Sequence, residues 1–232
     1  MNSEAVILAG GFGTRLKGVV DDIPKPMALI GDKPFLTYLF DQLYKYECKK
    51  VILAVGYKHE AIIDFFGKSY KSIQIEYVIE HNPLGTGGAI LNGSELISSS
   101  EFIVLNGDSY FNIDLNDFER RAACRKSPLA IALKRMADFD RYGTVITSGD
   151  TIVSFREKES CRTGLINGGI YVISKEWLES HSPGKTFSFE KDILEKYISE
   201  EVIKAYEYDG YFIDIGVPAD LLRASAELPG IL

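Results

Sequence analysis

Ala5-Val6-Ile7-Leu8-Ala9-Gly10-Gly11-Phe12-Gly13-Thr14-Arg15-Leu16 changes character at its midpoint. An unbroken apolar run stops at a cluster of glycines. A short run with no polar alternation marks a strand buried on both faces, as in a parallel sheet, and the glycines mark the loop where it ends. Everything that follows in the chain can be read outward from this strand-then-loop unit.

The unit recurs. Residues 35–47 place Leu36, Leu39, Phe40 and Leu43 at helical spacing, which predicts an amphipathic helix packed on a sheet. Residues 50–56 repeat the buried-strand pattern, 59–66 predict a helix, and 73–79 alternate as a strand does. A further helix is expected over 88–97, then a buried strand over 101–106 that stops at Gly107-Asp108. This β-α-β-α alternation implies an α/β fold: a mainly parallel central sheet with helices on both faces. The second half differs. Residues 129–134, 143–147, 151–155 and 168–173 are strand-like with short turns between them, so mixed or antiparallel strands are expected. A helix over 187–198, a strand over 202–206, a segment over 211–214 and a short helix from Pro218 close the chain. With no repeat, low-complexity tract or linker, residues 1–232 read as one continuous domain.

Bulk properties narrow the function. The 232 residues are 46% hydrophobic and 25% charged, as in ordinary globular proteins. A net charge of -7 argues against a nucleic-acid surface, so an anionic ligand must be held by a few placed cations. No signal peptide and no apolar run of membrane-spanning length is visible, so a cytoplasmic protein without membrane association is expected. Cys48, Cys124 and Cys161 are too few and too scattered for a disulfide framework or a zinc site. His59, His81 and His181 show no metal-ligand spacing either.

The opening glycines fit neither of two common phosphate motifs. Leu16 stands where G-x-G-x-x-G requires a third glycine, and no acidic residue ends a second strand at the expected distance. Gly13 and Gly18 have P-loop spacing, but Val19-Val20 follow where Lys-Ser/Thr is required. What remains is a glycine loop whose N–H groups can approach phosphate oxygens, with Arg15 as a fork of donors. Lys25 lies between Pro24 and Pro26 on a stiffened backbone. The plainer alternative is a tight strand-to-helix turn with a surface arginine.

Asp108 ends a buried strand, where open α/β sheets place their ligands, and so shares a crevice with Gly10 to Arg15. Asp214 sits in Tyr211-Phe212-Ile213-Asp214-Ile215-Gly216, an apolar setting that is costly for an unpaired carboxylate. Two carboxylates completed by phosphate oxygens and water suit Mg²⁺. Turn-capping by Asp108 and a salt bridge to Asp214 are the competing readings.

Several ordered motifs then converge. The opening loop followed by Pro24-Lys25-Pro26-Met27, then Pro83-Leu84-Gly85-Thr86-Gly87-Gly88-Ala89 and Leu105-Asn106-Gly107-Asp108, resembles the sugar-1-phosphate nucleotidyltransferases. The resemblance continues through Arg141-Tyr142-Gly143-Thr144-Val145, Glu157-Lys158, Asn167-Gly168-Gly169-Ile170-Tyr171, Phe187-Ser188-Phe189-Glu190-Lys191-Asp192 and Asp214-Ile215-Gly216-Val217-Pro218, nearly the whole chain. It implies a Rossmann-like (GT-A-like) fold and attack of a sugar 1-phosphate oxygen on the α-phosphorus of a nucleoside triphosphate. The finer pattern in Asp22 to Ala28, Asp138 to Val145 and Gly164 to Tyr171 is similar to the guanylyltransferase members that act on a heptose 1-phosphate. That favours GTP as donor, in nucleotide-sugar supply for bacterial surface polysaccharide. Mannose, glucose or N-acetylmuramate 1-phosphate, another base, or a non-catalytic nucleotide-sugar sensor remain open, as does a homo-oligomer.

By this resemblance, Leu8, Gly10, Gly11, Gly13, Thr14 and Arg15 would hold the triphosphate together with Gly107, with Arg15 on the leaving pyrophosphate. Gly85 and Thr86 would lie against the base and ribose. Lys25 would bridge the α-phosphate and the acceptor phosphate, and Asp108 and Asp214 would hold Mg²⁺. Tyr142, Gly143, Glu157, Asn167 and Gly168 would contact the sugar, and Lys158 its phosphate. Glu157 and Lys158 could instead be exposed charges, and Asn167 could cap a turn. Gly87 departs from the resemblance, since many relatives carry alanine there; this bears on base or sugar fit.

Overall fold

A computed structural model describes residues 4–11, 23–125, 127–156, 160–198 and 203–231. The first half contains β1 (Glu4–Ala9), the short strands β2 (Leu29–Ile30) and β3 (Lys33–Pro34), α1 (Phe35–Lys45), β4 (Lys50–Val55) and α2 (His59–Phe66). It continues with β5 (Ser69–Tyr70), β6 (Ile73–Ile79), α3 (Gly85–Ser94), β7 (Glu101–Asn106), β8 (Ser109–Phe111) and α4 (Leu115–Arg125). The second half contains β9 (Leu129–Phe139), β10 (Thr144–Ser148), β11 (Thr151–Arg156), β12 (Cys161–Ser174) and α5 (Lys175–His181). It closes with a π-helical stretch Phe189–Leu194, α6 (Glu195–Tyr197), β13 (Lys204–Tyr208), β14 (Phe212–Asp214) and α7 (Pro218–Glu227).

Ten strands form one sheet in the order β10-β11-β13-β9-β12-β7-β1-β4-β6-β5. β1 is parallel to both β4 and β7, and β4 is parallel to β6, which is the parallel half expected from the apolar runs. β12 is antiparallel to both β7 and β9, and β10 to β11, which is the expected mixed half. From β1 the chain winds outward through β4 and β6, then returns to β7 on the other side. That reversal lies between β1 and β7, and crevices at such switch points are where open α/β sheets bind ligands.

Alternate residues of β1 feed two apolar layers. Ala5, Ile7 and Ala9 pack with α1, α2, α4 and α7, whereas Val6 packs with Ile90 of α3 and with Trp177 and Leu178 of α5. Both faces of the strand are therefore dry, which is why its sequence shows no polar alternation.

Several boundaries differ from the sequence reading. The helix expected over 88–97 starts at Gly85 and ends at Ser94, because the Phe187 carbonyl accepts from the Gly87 and Gly88 N–H groups and holds the first turn. The strand expected over 168–173 extends from Cys161 to Ser174, since its polar first half pairs with β9. β9 likewise runs on past Lys134 to Phe139. In place of one helix over 187–198, the chain makes the π-helical stretch and then α6; the Ser188 hydroxyl caps it by accepting from the Lys191 N–H. α4 and α5 were not foreseen.

Candidate active site

The carboxyl ends of three adjacent strands form a row. Registers Ala9↔Val55 and Val55↔Ile79 bring Gly10, Gly56 and Glu80 side by side at the sheet's edge. Glycine is required in this row. A Cβ on Gly56 would lie 2.8 Å from the Gly10 carbonyl oxygen, and one on Gly107 2.4 Å from that of Leu8. The Gly107 N–H donates to the same Leu8 carbonyl at 2.9 Å, so the loops after β1 and β7 are stitched together.

Above this floor lies a cavity of 530 Å³. Leu8, Gly10, Gly11, Lys25, Gly85, Thr86 and Asp108 all line it, so residues far apart in sequence meet there as the resemblance implied. Gly13, Thr14, Arg15, Glu157 and Lys158 lie outside the described residues.

Lys25 opens a 3-10 turn, Lys25–Met27, whose Pro26 and Met27 are buried. Proline on either side and two buried anchors leave its side chain one direction. The ammonium donates to Asp108 Oδ2 at 2.7 Å and stands 4.0 Å from Asp214 Oδ1. β14 pairs antiparallel with β8, Asp214 opposite Ser109, and the Ile215 N–H donates to the Asp108 carbonyl at 2.9 Å. Two carboxylates 106 residues apart in the chain are thus held on one small ladder. Burial pushes the Asp214 carboxyl above its usual range, and the Asp108 charge pushes the same way against Lys25 and the Gly216 N–H. A carboxylate raised by burial and by its neighbour's charge belongs to a donor set that a divalent cation would relieve.

Glu80 is a residue the sequence reading missed. It follows β6 directly, as Asp108 follows β7, so the strand-end rule that singled out Asp108 could have found it. Its Oε2 accepts from the Leu84 N–H at 3.1 Å, while Oε1 faces Gly10, 3.0 Å from where a Cβ there would sit. Burial raises its pKa above the usual carboxylate value, against the opposing Leu84 N–H.

Thr86 is already committed. Its hydroxyl donates to Glu190 Oε2 at 2.6 Å and accepts from the Phe189 N–H at 2.9 Å, tying α3 to the π-helical stretch. Gly85 has φ +73°, and a Cβ there would meet the Phe187 carbonyl oxygen at 2.4 Å. A Cβ on Gly87 would meet the Phe187 ring at 2.2 Å, so the missing alanine at this position has a packing cause.

Tyr142, Gly143, Asn167 and Gly168 are not among the residues that line this cavity. The Tyr142 ring lies edge-on to Phe212, two residues before Asp214, and its hydroxyl accepts from Arg141 at 3.2 Å. Burial, then the Asp214 charge, push that hydroxyl up to about 12. A Cβ on Gly143 would reach the Arg156 carbonyl oxygen at 2.8 Å, and one on Gly168 the Phe111 ring at 2.5 Å. Asn167 caps a turn: its Oδ1 accepts from the Gly169 N–H at 2.9 Å, and its Nδ2 donates to the Tyr171 hydroxyl at 2.8 Å. One amide hydrogen remains for another partner. Among the described residues no helix is long and apolar enough to cross a membrane, and no group of three or more metal-ligating side chains occurs. Two carboxylates would leave the rest of a metal's coordination to ligand oxygens and water.

A mixed sheet with a topological switch in its parallel half, a glycine floor, a half-buried lysine and paired aspartates at the strand ends are the parts of an α/β fold that handles phosphorylated ligands. The nucleotidyl transferase family model matches residues 4–230, and the chain belongs to that family. It is 46% identical over 225 residues to the D-glycero-alpha-D-manno-heptose 1-phosphate guanylyltransferase of Aneurinibacillus thermoaerophilus, covering 97% of this chain and 98% of that one. To the enzyme of the same name from Campylobacter jejuni it is 47% identical over 218 residues, 94% of this chain and 96% of the other. Among solved structures it resembles HddC from Yersinia pseudotuberculosis complexed with GMP-PN, with TM-score 0.88 and 42% identity over 97% of this chain and 99% of that chain.

Proposed function

We propose that this protein transfers GMP from GTP to D-glycero-α-D-manno-heptose 1-phosphate, giving GDP-heptose and pyrophosphate for bacterial surface polysaccharide. The relatives' names and their coverage of nearly the whole chain support this reading. The observation that carries the guanine assignment is Glu80. Its carboxylate lines the cavity with one oxygen turned toward the glycine floor. Guanine presents two adjacent donors, N1–H and the 2-amino group, which a carboxylate can accept together. Uracil and thymine present one donor between two carbonyls, and adenine presents an acceptor at N1. A hydrogen bond to a charged group contributes about 1.5–3 kcal/mol, enough to set base choice.

The acceptor phosphate oxygen is already anionic, so attack on the α-phosphorus needs no general base. A P–O bond to the acceptor forms as the bond to pyrophosphate breaks. Rate then depends on bringing two anions together and neutralising charge as it builds. Lys25 would bridge both phosphates, with an ammonium that can turn among several acceptors. Asp108 and Asp214 would hold Mg²⁺, which supplies charge neutralisation on the phosphate oxygens. Gly10, Gly11 and Gly107 would let the backbone approach the triphosphate, and by the same reading Gly13, Thr14 and Arg15 would also hold it. Gly85 and Thr86 would border the base and ribose; Tyr142, Gly143, Asn167, Gly168, Glu157 and Lys158 would border the acceptor.

The test is a grid of nucleoside triphosphates against sugar 1-phosphates, read by pyrophosphate release. GTP with the heptose phosphate is expected to lead. Faster turnover with mannose or glucose 1-phosphate would remove the heptose assignment, and faster turnover with UTP or dTTP the guanine one. Tight nucleotide binding with no pyrophosphate release would point to a sensor.

A further inference from the structure

Arg141 stands in the loop between β9 and β10, next to Tyr142, and reaches 79 residues along the chain to Asp220. Its Nη1 donates to Asp220 Oδ2, and its Nη2 donates to the Tyr142 hydroxyl at 3.2 Å. Asp220 lies in the first turn of α7, its side chain only 14% exposed. α7 begins just past Asp214-Ile215-Gly216-Val217 and is anchored in the core by Leu221 and Ala224. On the loop side, the Tyr142 ring packs against Phe139 and against Phe212, on the strand that ends in Asp214. Loop, guanidinium, helix and the Asp214 strand therefore form a closed mechanical circuit.

We propose that Arg141 and Asp220 are a positioning pair that locks the Tyr142 loop to the start of α7, and so holds the acceptor pocket in fixed relation to the carboxylate pair. This rests on the reading that Tyr142 borders the acceptor sugar. The choice of arginine follows from the geometry. A planar fork can bond a carboxylate and a hydroxyl in different directions at once, whereas a lysine ammonium can keep the ion pair but has no second arm. Each Nη group spends one N–H on the protein, which makes this guanidinium a brace between Tyr142 and Asp220. The contrast is Arg135–Glu207, an equally well-made pair whose side chains are 50% and 38% exposed and which ties two strands away from the cavity. Asp220 has a second cation, Arg223, at 3.5 Å, so loss of Arg141 does not strand its charge and the chain should fold.

The experiment compares Arg141→Gln, Asp220→Asn, their double variant and Arg141→Lys with the wild type, using the best acceptor from the sugar 1-phosphate grid. Each of the first two is expected to raise KM for the acceptor about tenfold or more, since small misplacement is expensive in such reactions. The Kd for a non-hydrolysable GTP analogue should stay within about twofold, because the nucleotide cavity is formed by other elements. The double variant should be no worse than the poorer single, and Arg141→Lys should recover part of the loss. Hydrogen exchange adds a readout that needs no turnover: amides of residues 139–144 and 219–221 should exchange faster together in both single variants. Unchanged exchange there overturns the proposal even if the wild type turned over no sugar phosphate, a result that would remove the functional reading separately. A normal Asp220→Asn enzyme beside a crippled Arg141→Gln would mean that Arg141 touches the substrate itself. Equal loss of nucleotide binding would mean a general structural role. Either result overturns the positioning assignment.

Discussion

The Lys25 ammonium stands 4.0 Å from Asp214 and 2.7 Å from Asp108, so one cation bridges two carboxylates that lie 106 residues apart in the chain. In that position the lysine both offsets the repulsion of the pair and lines the cavity.

Lys25→Ala and Asp108→Ala should each lower turnover by about 100-fold or more, the range seen when one preorganised charge-stabilising group is removed. Asp108 is 44% exposed, so its variant should keep a near-normal melting temperature. Pyrophosphate release paired with thermal denaturation checks both points. Turnover close to wild type in either variant would remove that residue from the site.

Glu80 should leave a pH signature of known sign. Its folded-state pKa is raised, so the free protein holds an extra proton between the ordinary carboxylate value and that raised pKa. The associated stability is present below the unfolded value and is lost as pH rises through the folded one. On the proposed reading guanine binding needs the carboxylate, so affinity for a GTP analogue should climb across the same window. Glu80→Gln should flatten both profiles relative to wild type and lower kcat/KM for GTP by about 10- to 100-fold. Melting curves and titration calorimetry at several pH values read this out; an unchanged difference between the two proteins would dissociate Glu80 from the base.

Gly87→Ala should destabilise the protein by about 1–3 kcal/mol, the usual cost of overpacking a filled space. The added methyl would fall 2.2 Å from the Phe187 ring, which is buried against α3. Pairing it with Phe187→Leu should return part of the loss in denaturant titrations. A Gly87→Ala variant as stable as wild type would show that the ring yields freely.

Tyr171→Phe should cost about 1–3 kcal/mol, because it removes the buried acceptor of the Asn167 amide. The hydroxyl is so thoroughly desolvated that its pKa rises well above the usual tyrosine value. Chemical denaturation measures the cost, and an Asn167→Ala/Tyr171→Phe cycle should be strongly non-additive.

How far the sequence could be read follows from where each element finds its stabilisation. β1, β4 and β7 are dry on both faces, so unbroken apolar runs betrayed them, and Asp108 followed from the end of one such run. α4 was passed over because its inward face is thin: Leu115, Phe118 and Ala122 are separated by charged and polar residues. The first half of β12 was missed because it is largely polar and pairs with the mostly exposed residues 134–138 of β9, leaving little hydrophobic imprint. The start of α3 depends on the Phe187 carbonyl, about a hundred residues away, and glycines at a helix start look like loop to any local rule. Thr86 and Glu190, 104 residues apart, meet for the same nonlocal reason. Glu80 was legible in principle, by the rule already applied to Asp108.

The placement of β12 carries a consequence for biosynthesis. In the finished sheet it is wedged between β7 and β9, yet it is made more than fifty residues after β7. Until residues 161–174 leave the ribosome, one edge of β7 has no strand to pair with, although β1, β4 and β6 are already available on the other side. An unpaired apolar edge is a template for association between chains, and nonlocal pairing is slow. Nascent or truncated chains ending before residue 161 should therefore be the form of this protein most dependent on chaperones.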